Sequence, residues 1–482
     1  MLDYNTTKLY LDISNFMNVN FLTGIQRLVS EYTYRLIQWG EEKGFCVILL
    51  YEQKRKDTFE IISNAKFCEL MDGKIGKESC HTMKRITIEE MESNSIFFDM
   101  DGVWCNTMLR SYLLSKLKQR NIRIITFVHD IIAITHPQYA SDLNLLYFPN
   151  YIAANIKYAD ALITSTEYTA KQIKKLIHQL KEPEKEIYVV PLGTDFVDDY
   201  NESEVPKEVK KVVKKGKYCL TVGTIEPRKN HQIILDMFEK FQEEEINIIF
   251  AGRIGWKMDE FMEKLYAHPF YEKRIFHFSG LNDDSIRYLY KEAYLVIFPT
   301  IIEGFGIPAI EALQFGTPLL ASDIPIMHEV AGEYADYFSL EDHGTELREK
   351  VEYYSKNPDA YLKKREKLKE YHSMTWDDCG EKLLDILQHY KKKRFQKPEI
   401  KQIVFLTARK QALLETLDYV EQFMKFIKEV IICSPEQLVE EIKSSYKGNL
   451  LLKFLTDGQV LKDAKLPEDH LKRNFFLRCK SM

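Results

Sequence analysis

The chain has 482 residues, which is too long for one typical domain and long enough for two or three. Its 67 basic and 72 acidic residues give a net charge of −5, so no overall positive field points to a nucleic-acid partner. Eight scattered cysteines form no CxxC pair and no Cys/His cluster, which indicates reduced thiols rather than disulfides or a zinc site. Neither a signal peptide nor a run of roughly 18 apolar residues is recognisable. We therefore expect a cytoplasmic protein that could still dock on a membrane surface.

Short apolar runs alternate with longer amphipathic stretches through the first 200 residues. The periodicity predicts helices at 24–40, 108–120 and 166–179. The predicted strands are KLYLDIS, FCVILLY, SIFFDM, IRIITFVHD, ALITST and IYVVPLG. Because strand–helix alternation is typical of a parallel sheet with helices on both faces, we predict a Rossmann-like domain at residues 1–200.

A polar, Lys-rich stretch at residues 201–217 follows, and we interpret it as a solvated helix face and linker rather than an anion site. The alternation then restarts with YCLTVGT, INIIFAG, IFHFSG, AYLVIFPT, TPLLAS and DYFSL. This pattern predicts a second doubly wound domain at residues 201–375. Ligands of such sheets bind beyond the carboxyl ends of the strands, so we expect the site in a cleft between the two domains.

The C-terminal part of the chain changes character twice. A charged helix is predicted at residues 376–396, and a third α/β start covers residues 400–482. The strands of this last segment are too few to close a full domain. We interpret it as a small appendage, or as the opening part of a second transferase-like domain.

The densest chemical signal is the string EGFGIPAIE, which follows an apolar strand and runs from Glu303 to Glu311. Gly304 and Gly306 allow the backbone to approach a ligand closely. The proline that follows suits the first turn of a helix, whose free N–H groups and dipole favour an anion. Two carboxylates beside an anion site are good acceptors for sugar and ribose hydroxyls, so the string predicts a nucleotide-sugar site. The alternative is a structural helix start with surface glutamates.

A second signal is Arg228-Lys229, which follows the first strand of the second predicted domain. Arginine offers a planar fork to phosphate oxygens, and lysine offers a compact charge. The pair is predicted to neutralise a departing pyrophosphate, although adjacent cations are often only surface charge.

The EGFGIPAIE string resembles the E-x7-E motif of retaining GT-B glycosyltransferases, especially glycosyltransferase family 4. The resemblance implies a fold of two Rossmann-like domains facing each other across a cleft. Residues 1–200 would form the acceptor-side domain, and residues 201–375 would form the nucleotide-sugar-binding, or donor, domain. It implies that Glu303 lies near the transferred sugar and that Glu311 binds the ribose. The backbone N–H groups of Phe305, Gly306 and Ile307 would meet sugar or phosphate.

Other segments resemble loops of the same family, in the family's order, over residues 8–390. The expected donor-binding residues are Gly24 in the first glycine loop, Gly252 and Arg253 below the nucleotide, and Gly280 and Leu281 at the base. The family often has an arginine where this chain has Thr224, and Arg228 is expected to take that role beside Lys229.

The strand-end sequence HDIIAITHPQY resembles the family's His-Asp loop, which implies a catalytic role for His129. Asp130 and His136 are expected to shape that loop. Three polar residues after another strand are further candidates for the cleft, namely Asp99, Asp101 and Asn106. Trp376 resembles the start of the closing segment that returns to the first domain.

The resemblance implies transfer of a hexose, with retention of configuration, from a nucleotide-diphosphate sugar to a glycan or lipid-linked glycan. Mannose from a GDP donor and bacterial surface polysaccharide synthesis are our hypotheses. No cofactor or metal is expected, because cations stabilise the leaving group and no DxD triplet occurs. A non-catalytic sugar-nucleotide-binding subunit, an epimerase or a phosphorylase remain alternatives. An NAD-binding protein is disfavoured because no GxGxxG is present.

Overall fold

The computed structural model describes residues 6–20, 23–53, 57–194, 200–240 and 246–393. In the C-terminal part it describes residues 402–406, 413–414, 417, 429–433, 436–446 and 452–455. The chain divides into two compact units, Met1–Lys393 and Arg394–Met482, which are described separately. Six cysteines are free thiols, namely Cys46, Cys68, Cys80, Cys105, Cys219 and Cys379.

The first sheet of the larger unit has eight strands in the order β4-β3-β2-β1-β5-β6-β7-β8. Their bounds are β1 Thr7–Asp12, β2 Phe45–Glu52, β3 Thr58–Ile62, β4 His81–Thr87, β5 Ile96–Asp99, β6 Arg123–Phe127, β7 Ala161–Thr164 and β8 Glu186–Val189. The six predicted strands pair in parallel and are confirmed. The sequence missed β3 and β4, which pair antiparallel at one edge. Because β4 is half-exposed or exposed along its length, it lacks the apolar run on which the prediction depended.

Among the described residues of the first half, seven helices accompany this sheet, and the predicted ones begin within two residues of the expected positions. Their bounds are α1 Ser14–Asn18, α2 Gly24–Gly40, α3 Asn64–Met71, α4 Arg110–Gln119, α5 Ile132–Thr135, α6 Asp142–Tyr158 and α7 Glu167–Gln179. Helix α2 begins where predicted because Thr23 and Gln26 form a capping box around its first turn. Helix α7 begins after Thr166, whose hydroxyl accepts the Thr169 N–H.

The second sheet has six parallel strands in the order β11-β10-β9-β12-β13-β14. Their bounds are β9 Tyr218–Val222, β10 Asn247–Ala251, β11 Ile275–Phe278, β12 Leu295–Phe298, β13 Leu319–Ser322 and β14 Ala335–Phe338. Numbered from β9, the order is 3-2-1-4-5-6, that of a doubly wound dinucleotide fold. The order reverses between β9 and β12, so the loops after these two strands lie side by side. Ligands of such sheets bind at this switch point.

The helices of the second half surround this sheet, except the last. Their bounds are α8 Lys207–Val213, α9 Gln232–Glu239, α10 Asp259–Ala267, α11 Asp283–Glu292, α12 Ile307–Gln314, α13 Pro325–Ala331, α14 Thr345–Lys356, α15 Pro358–Leu368 and α16 Trp376–Lys392. Helix α16 packs on α2 of the first sheet: Trp376 lies edge-on to Tyr32 at 5.7 Å, and Arg35 pairs with Asp377 at 2.8 Å.

The smaller unit contains a parallel sheet in the order β15-β16-β17. Its elements are β15 Gln402–Leu406, β16 Glu429–Cys433, α17 Glu436–Ser445 and β17 Leu452–Leu455. These strands lie where the apolar runs predicted them. Across the described part of the chain, no helix combines the length and apolar character needed to cross a membrane.

Gly193 of the first domain lies against the backbone at the start of α16. A Cβ atom at Gly193 would lie 2.5 Å from the Trp376 nitrogen, and backbone cannot move aside as a side chain does. We expect Gly193→Ala to cost about 1–3 kcal/mol and to lower the melting temperature measured by differential scanning fluorimetry. Gly76→Ala is the matched control, because its Cβ would meet only the mobile end of Glu78. Equal melting temperatures for the two variants would contradict this account of the packing.

Candidate functional site

The loop between β12 and α12 lies at the switch point of the second sheet and carries the EGFGIPAIE string. Gly306 caps α12 with φ 97°, a left-handed conformation that residues with a Cβ rarely adopt. A Cβ there would lie 2.9 Å from the Met327 side chain. Pro308 occupies the first turn of α12, as predicted. The glycine and the proline together fix the path by which the loop enters the helix.

Glu303 is the charged centre of this loop and is only 6% exposed. One carboxylate oxygen pairs with Arg228 at 2.6 Å, and the other contacts Lys229 and accepts the Thr300 hydroxyl at 3.1 Å. Burial alone would raise the pKa of Glu303, but the two cations lower it to about 2. Glu303 is therefore a carboxylate throughout the physiological pH range.

Arg228 and Lys229 are built into the site rather than displayed on the surface. Lys229 is 8% exposed and lies 4.5 Å over the Phe298 ring, while Arg228 also pairs with the buried Glu226 at 2.6 Å. Burial lowers the pKa of Lys229, and Glu303 opposes that shift. The interpretation as surface charge is wrong. The pair lies in a 3-10 turn, Pro227–Lys229, that precedes α9.

His129 follows β6 and faces this loop from the first domain. A Cβ added to Gly304 would lie 2.7 Å from the His129 carbonyl oxygen, so only glycine permits the observed approach. The His129 ring donates from Nε2 to the Met100 carbonyl at 2.8 Å, and this bond assigns the proton to Nε2 and leaves Nδ1 as an acceptor. Burial lowers the pKa of His129 to about 4. Asp130 accepts the Ile132 N–H at 2.9 Å and so shapes the loop.

The β12–α12 loop is also anchored to α7 of the first domain. The hydroxyls of Ser165 and Thr166 donate to the Gly304 carbonyl at 3.2 and 3.3 Å. Glu329 accepts the N–H groups of Glu167 and Tyr168 at 2.6 and 2.9 Å, at the N-terminus of α7 where a helix dipole favours negative charge. These contacts hold the two halves of the site together.

Glu311 lies one turn inside α12 and pairs with a residue that the sequence reasoning missed. Arg27, on the first turn of α2, contacts Glu311 at 2.9 Å and Asp283 at 3.3 Å. The other oxygen of Glu311 accepts the Tyr290 hydroxyl at 2.9 Å. Burial raises the pKa of Glu311, and the Arg27 charge opposes this shift. The sequence did contain one signal for Arg27, because it is a cation about one turn after the predicted glycine loop at Gly24.

The predicted glycines lie on the same edge of the sheets. Gly24 begins α2, and a Cβ there would lie 3.3 Å from the Ile307 side chain at the start of α12. A Cβ on Gly252 would overlap the Gly223 carbonyl, so the loops after β9 and β10 approach closely. The Arg253 carbonyl accepts the Ile225 N–H at 2.7 Å between these loops. Gly280, with φ 71°, and the adjoining Leu281 follow β11, one strand further along the edge.

Asp99 and Asp101 are not cleft residues, which corrects the sequence prediction. Both are fully buried, and Asp99 pairs with Arg110, which also binds Asp12 at 2.6 Å. Asp101 accepts two backbone N–H groups at 2.7 Å and braces the loop after β1. Asn106 lies in the following turn, where its own N–H donates to the Val103 carbonyl. His136 contacts the Thr135 hydroxyl within its loop at 2.9 Å.

Two cavities flank the site. One of about 140 Å³ lies against His129, Asp130 and Arg228. The other, of about 620 Å³, is bordered by Arg27 and Asp283 and falls within the range of about 300–1,000 Å³ typical of ligand sites. The Arg27–Asp283 contact therefore lies beside the larger cavity.

The Arg27–Glu311 pair has a consequence for stability that depends on pH. Without Arg27, burial raises the pKa of Glu311 further, and a carboxyl whose folded pKa is raised loses stability as pH rises above its unfolded value. We expect Arg27→Gln to lower the melting temperature more at about pH 7.5 than at about pH 5. In the Arg27→Gln/Glu311→Gln variant this extra loss should disappear, since no carboxyl remains to ionise. A pH-independent effect of the single change would contradict the assignment.

Residues 203–373 match the family described as "Glycosyl transferases group 1". Over 354 residues the chain is 27% identical to the serotype-specific mannosyltransferase WbdA of Escherichia coli, covering 70% of this chain and 41% of WbdA. Over 216 residues it is 29% identical to the O-antigen chain mannosyltransferase RfbU of Salmonella typhimurium, covering 45% of this chain and 56% of RfbU. The match thus spans about two fifths of the length of WbdA.

Solved structures share the architecture of the larger unit. HepE of Anabaena, in complex with UDP-glucose, has a TM-score of 0.55 at 12% identity, covering 79% of this chain and 99% of HepE. Sucrose-phosphate synthase from Thermosynechococcus elongatus also has a TM-score of 0.55, at 14% identity, covering 80% of this chain and 98% of the synthase. At such identities the likeness establishes the fold alone. The chain has a GT-B fold, and its residues 203–373 form a domain of the group 1 glycosyltransferase family.

Proposed function

We propose that the chain transfers a hexosyl group, with retention of anomeric configuration, from a nucleoside-diphosphate sugar to a hydroxyl of a glycan acceptor. The observation that carries the proposal is the buried Glu303 carboxylate, held by Arg228 and Lys229 at the start of α12 and faced by His129. The group 1 match over residues 203–373 supports it, because Arg228, Lys229 and Glu303 lie inside the matched segment.

The donor would bind along the carboxyl edge of the second sheet. The N–H groups that follow Gly306 at the start of α12 favour its phosphates, and so does the positive end of the helix dipole. Glu311 would accept ribose hydroxyls in place of its contact with Arg27. Gly280 and Leu281 would meet the base through their backbone.

The reaction breaks the bond between the anomeric carbon and the β-phosphate oxygen, and the electron pair leaves with the phosphate. The acceptor oxygen bonds the anomeric carbon from the same face, and its proton passes to the departing phosphate. Arg228 and Lys229 would stabilise the charge that develops on that phosphate, the kind of preorganised electrostatics that usually gives the largest catalytic contribution. His129 would accept a sugar hydroxyl at Nδ1. Since cations serve the leaving group, the proposal requires no metal or other cofactor.

We assign mannose as the sugar and GDP as the carrier. The names of WbdA and RfbU, both mannosyltransferases, support mannose. The O-antigen in the name of RfbU supports a glycan or lipid-linked glycan of the bacterial surface as acceptor. Such an acceptor would be met in the cytoplasm at the inner face of the membrane. UDP is the competing carrier, because HepE binds UDP-glucose.

A donor panel tests the function. We expect the full chain to release nucleoside diphosphate from GDP-mannose and not from UDP-, dTDP- or ADP-sugars. Glu303→Ala and Lys229→Ala should each lower the rate by about 100-fold or more, the cost of removing one preorganised charge from a transition state. Release is measured with a coupled diphosphate assay, and donor binding is measured by calorimetry on the same panel.

The exposed Glu349→Ala variant is the control and should keep the full rate. Turnover only with UDP-sugars would show that the carrier is UDP rather than GDP, and it would leave the assignment as a transferase intact. Binding without release, even with glycan acceptors present, would favour a non-catalytic sugar-nucleotide-binding subunit. A chain that binds no sugar nucleotide would overturn the proposal.

The pH dependence of transfer tests His129 separately. Its neutral form is the one that accepts a hydroxyl, and burial lowers its pKa from 6.5 to about 4. We therefore expect kcat/KM to persist below pH 6.5 and the His129 step to fail only near pH 4. His136→Gln should leave the profile unchanged. An acid limb centred near 6.5 that His129→Gln abolishes would contradict the buried, neutral assignment.

A further inference from the structure

The cavity of about 140 Å³ beside His129 has an aromatic wall. In the first domain Trp104 lies edge-on to Phe148 at 5.4 Å and to Tyr151 at 5.7 Å, and all three line the cavity. At this volume it is smaller than the range of about 300–1,000 Å³ found for drug-sized ligands, so it suits a single ring. His129 and Arg228 also line it, so it opens onto the centre of the proposed reaction.

Tyr151 contributes a ring to this wall rather than a polar group. Its side chain is 3% exposed, and its hydroxyl is buried beside the charges of Asp99 and Arg110, away from the surface of the cavity. The wall is therefore apolar on this side, and the polar side chains that border the cavity include those of His129 and Arg228.

The second domain contributes Arg228 and Trp256 to the lining of the cavity. Trp256, in the loop after β10 that also carries Gly252 and Arg253, lines the cavity and donates its indole N–H to the Tyr139 carbonyl at 2.8 Å. The next residue, Lys257, donates to the Ala140 carbonyl at 3.0 Å but does not line the cavity. Trp256 and Lys257 thus each donate a hydrogen bond to a carbonyl of the first domain, but only Trp256 also lines the cavity.

We propose that this cavity binds one pyranose ring of the acceptor glycan and that Trp256, from the donor domain, is a wall that determines acceptor specificity. The inference rests on the proposed function and names a substrate subsite for it. A pyranose has apolar C–H faces and a polar rim, which match flat aromatic walls with a few polar groups between them. Because His129 and Arg228 border the cavity, a hydroxyl of the bound ring lies next to the reacting centre.

The test measures initial rates of transfer by the full chain to methyl pyranosides of mannose, glucose, galactose and N-acetylglucosamine. Trp256→Ala should raise the acceptor KM about tenfold or more, equivalent to about 1.4 kcal/mol. It should also weaken the preference among these sugars, and Trp256→Phe should lie between it and the wild type. The donor dissociation constant and the acceptor-independent hydrolysis of donor should stay within about twofold.

Lys257→Ala is the matched control, since it removes the neighbouring contact between the domains and leaves the wall. It should keep the acceptor KM and the sugar preference. Equal changes in Lys257→Ala and Trp256→Ala would overturn the role of Trp256, because domain closure would then explain both.

Phe148→Leu keeps the test open if the tryptophan variants fold poorly. It removes one ring of the aromatic wall and no hydrogen bond between the domains, so we expect a raised acceptor KM and an unchanged donor dissociation constant. An unchanged acceptor KM in Phe148→Leu and Trp256→Ala, with donor turnover intact, overturns this inference and leaves the transferase. A wild-type chain that binds no sugar nucleotide overturns the proposed function itself, so the two failures are distinguishable.

Discussion

The burial of Glu303 between Arg228 and Lys229 is the interaction on which the candidate site depends. A charge taken out of water is costly unless it is paired, and breaking one partner of a buried pair costs more than the pair contributes. The three side chains come from the loops after β9 and β12, and Arg228 and Glu303 are 75 residues apart in the chain but in contact in space. The strand order 3-2-1-4-5-6 brings these loops together, so the topology of the sheet is the condition for this charge cluster.

The β12–α12 loop, which carries Glu303, also joins the two domains. It contacts the first domain through backbone atoms rather than through charged side chains. Gly304 presents its carbonyl to Ser165 and Thr166, and its missing Cβ allows contact with His129. The loop that carries the ionised Glu303 is therefore also in direct contact with the first domain. Movement between the domains must alter the surroundings of Glu303, His129 and the small cavity together.

Local pattern was enough to predict the parallel strands, the helix starts and the EGFGIPAIE loop, because apolar runs, caps and glycines act over a few residues. Prediction from local pattern failed where a side chain pairs with a residue that is far away in the sequence. Asp99 was predicted as a cleft residue because it follows a strand, but Arg110 pairs it with Asp12, 98 residues from that arginine. Arg27 was missed for the same reason, since its partner Glu311 lies 284 residues away in the other domain. The edge strand β4 was missed because its exposed side chains leave no apolar run.

Glu303 and Glu311 were predicted as a pair, yet the structure gives them opposite electrostatic surroundings. Two cations at Glu303 outweigh its burial and lower its pKa to about 2, whereas burial of Glu311 prevails over Arg27 and raises the pKa. Carboxylates whose environments separate their pKa values serve different roles. Glu303 is a permanent anion that fixes two cations at the switch point of the second sheet. In the proposed reaction those cations would face the departing phosphate, and Glu311 would exchange its contact with Arg27 for hydroxyls of the donor. The spacing of the motif thus places one carboxylate in the loop and the other on the helix that follows it.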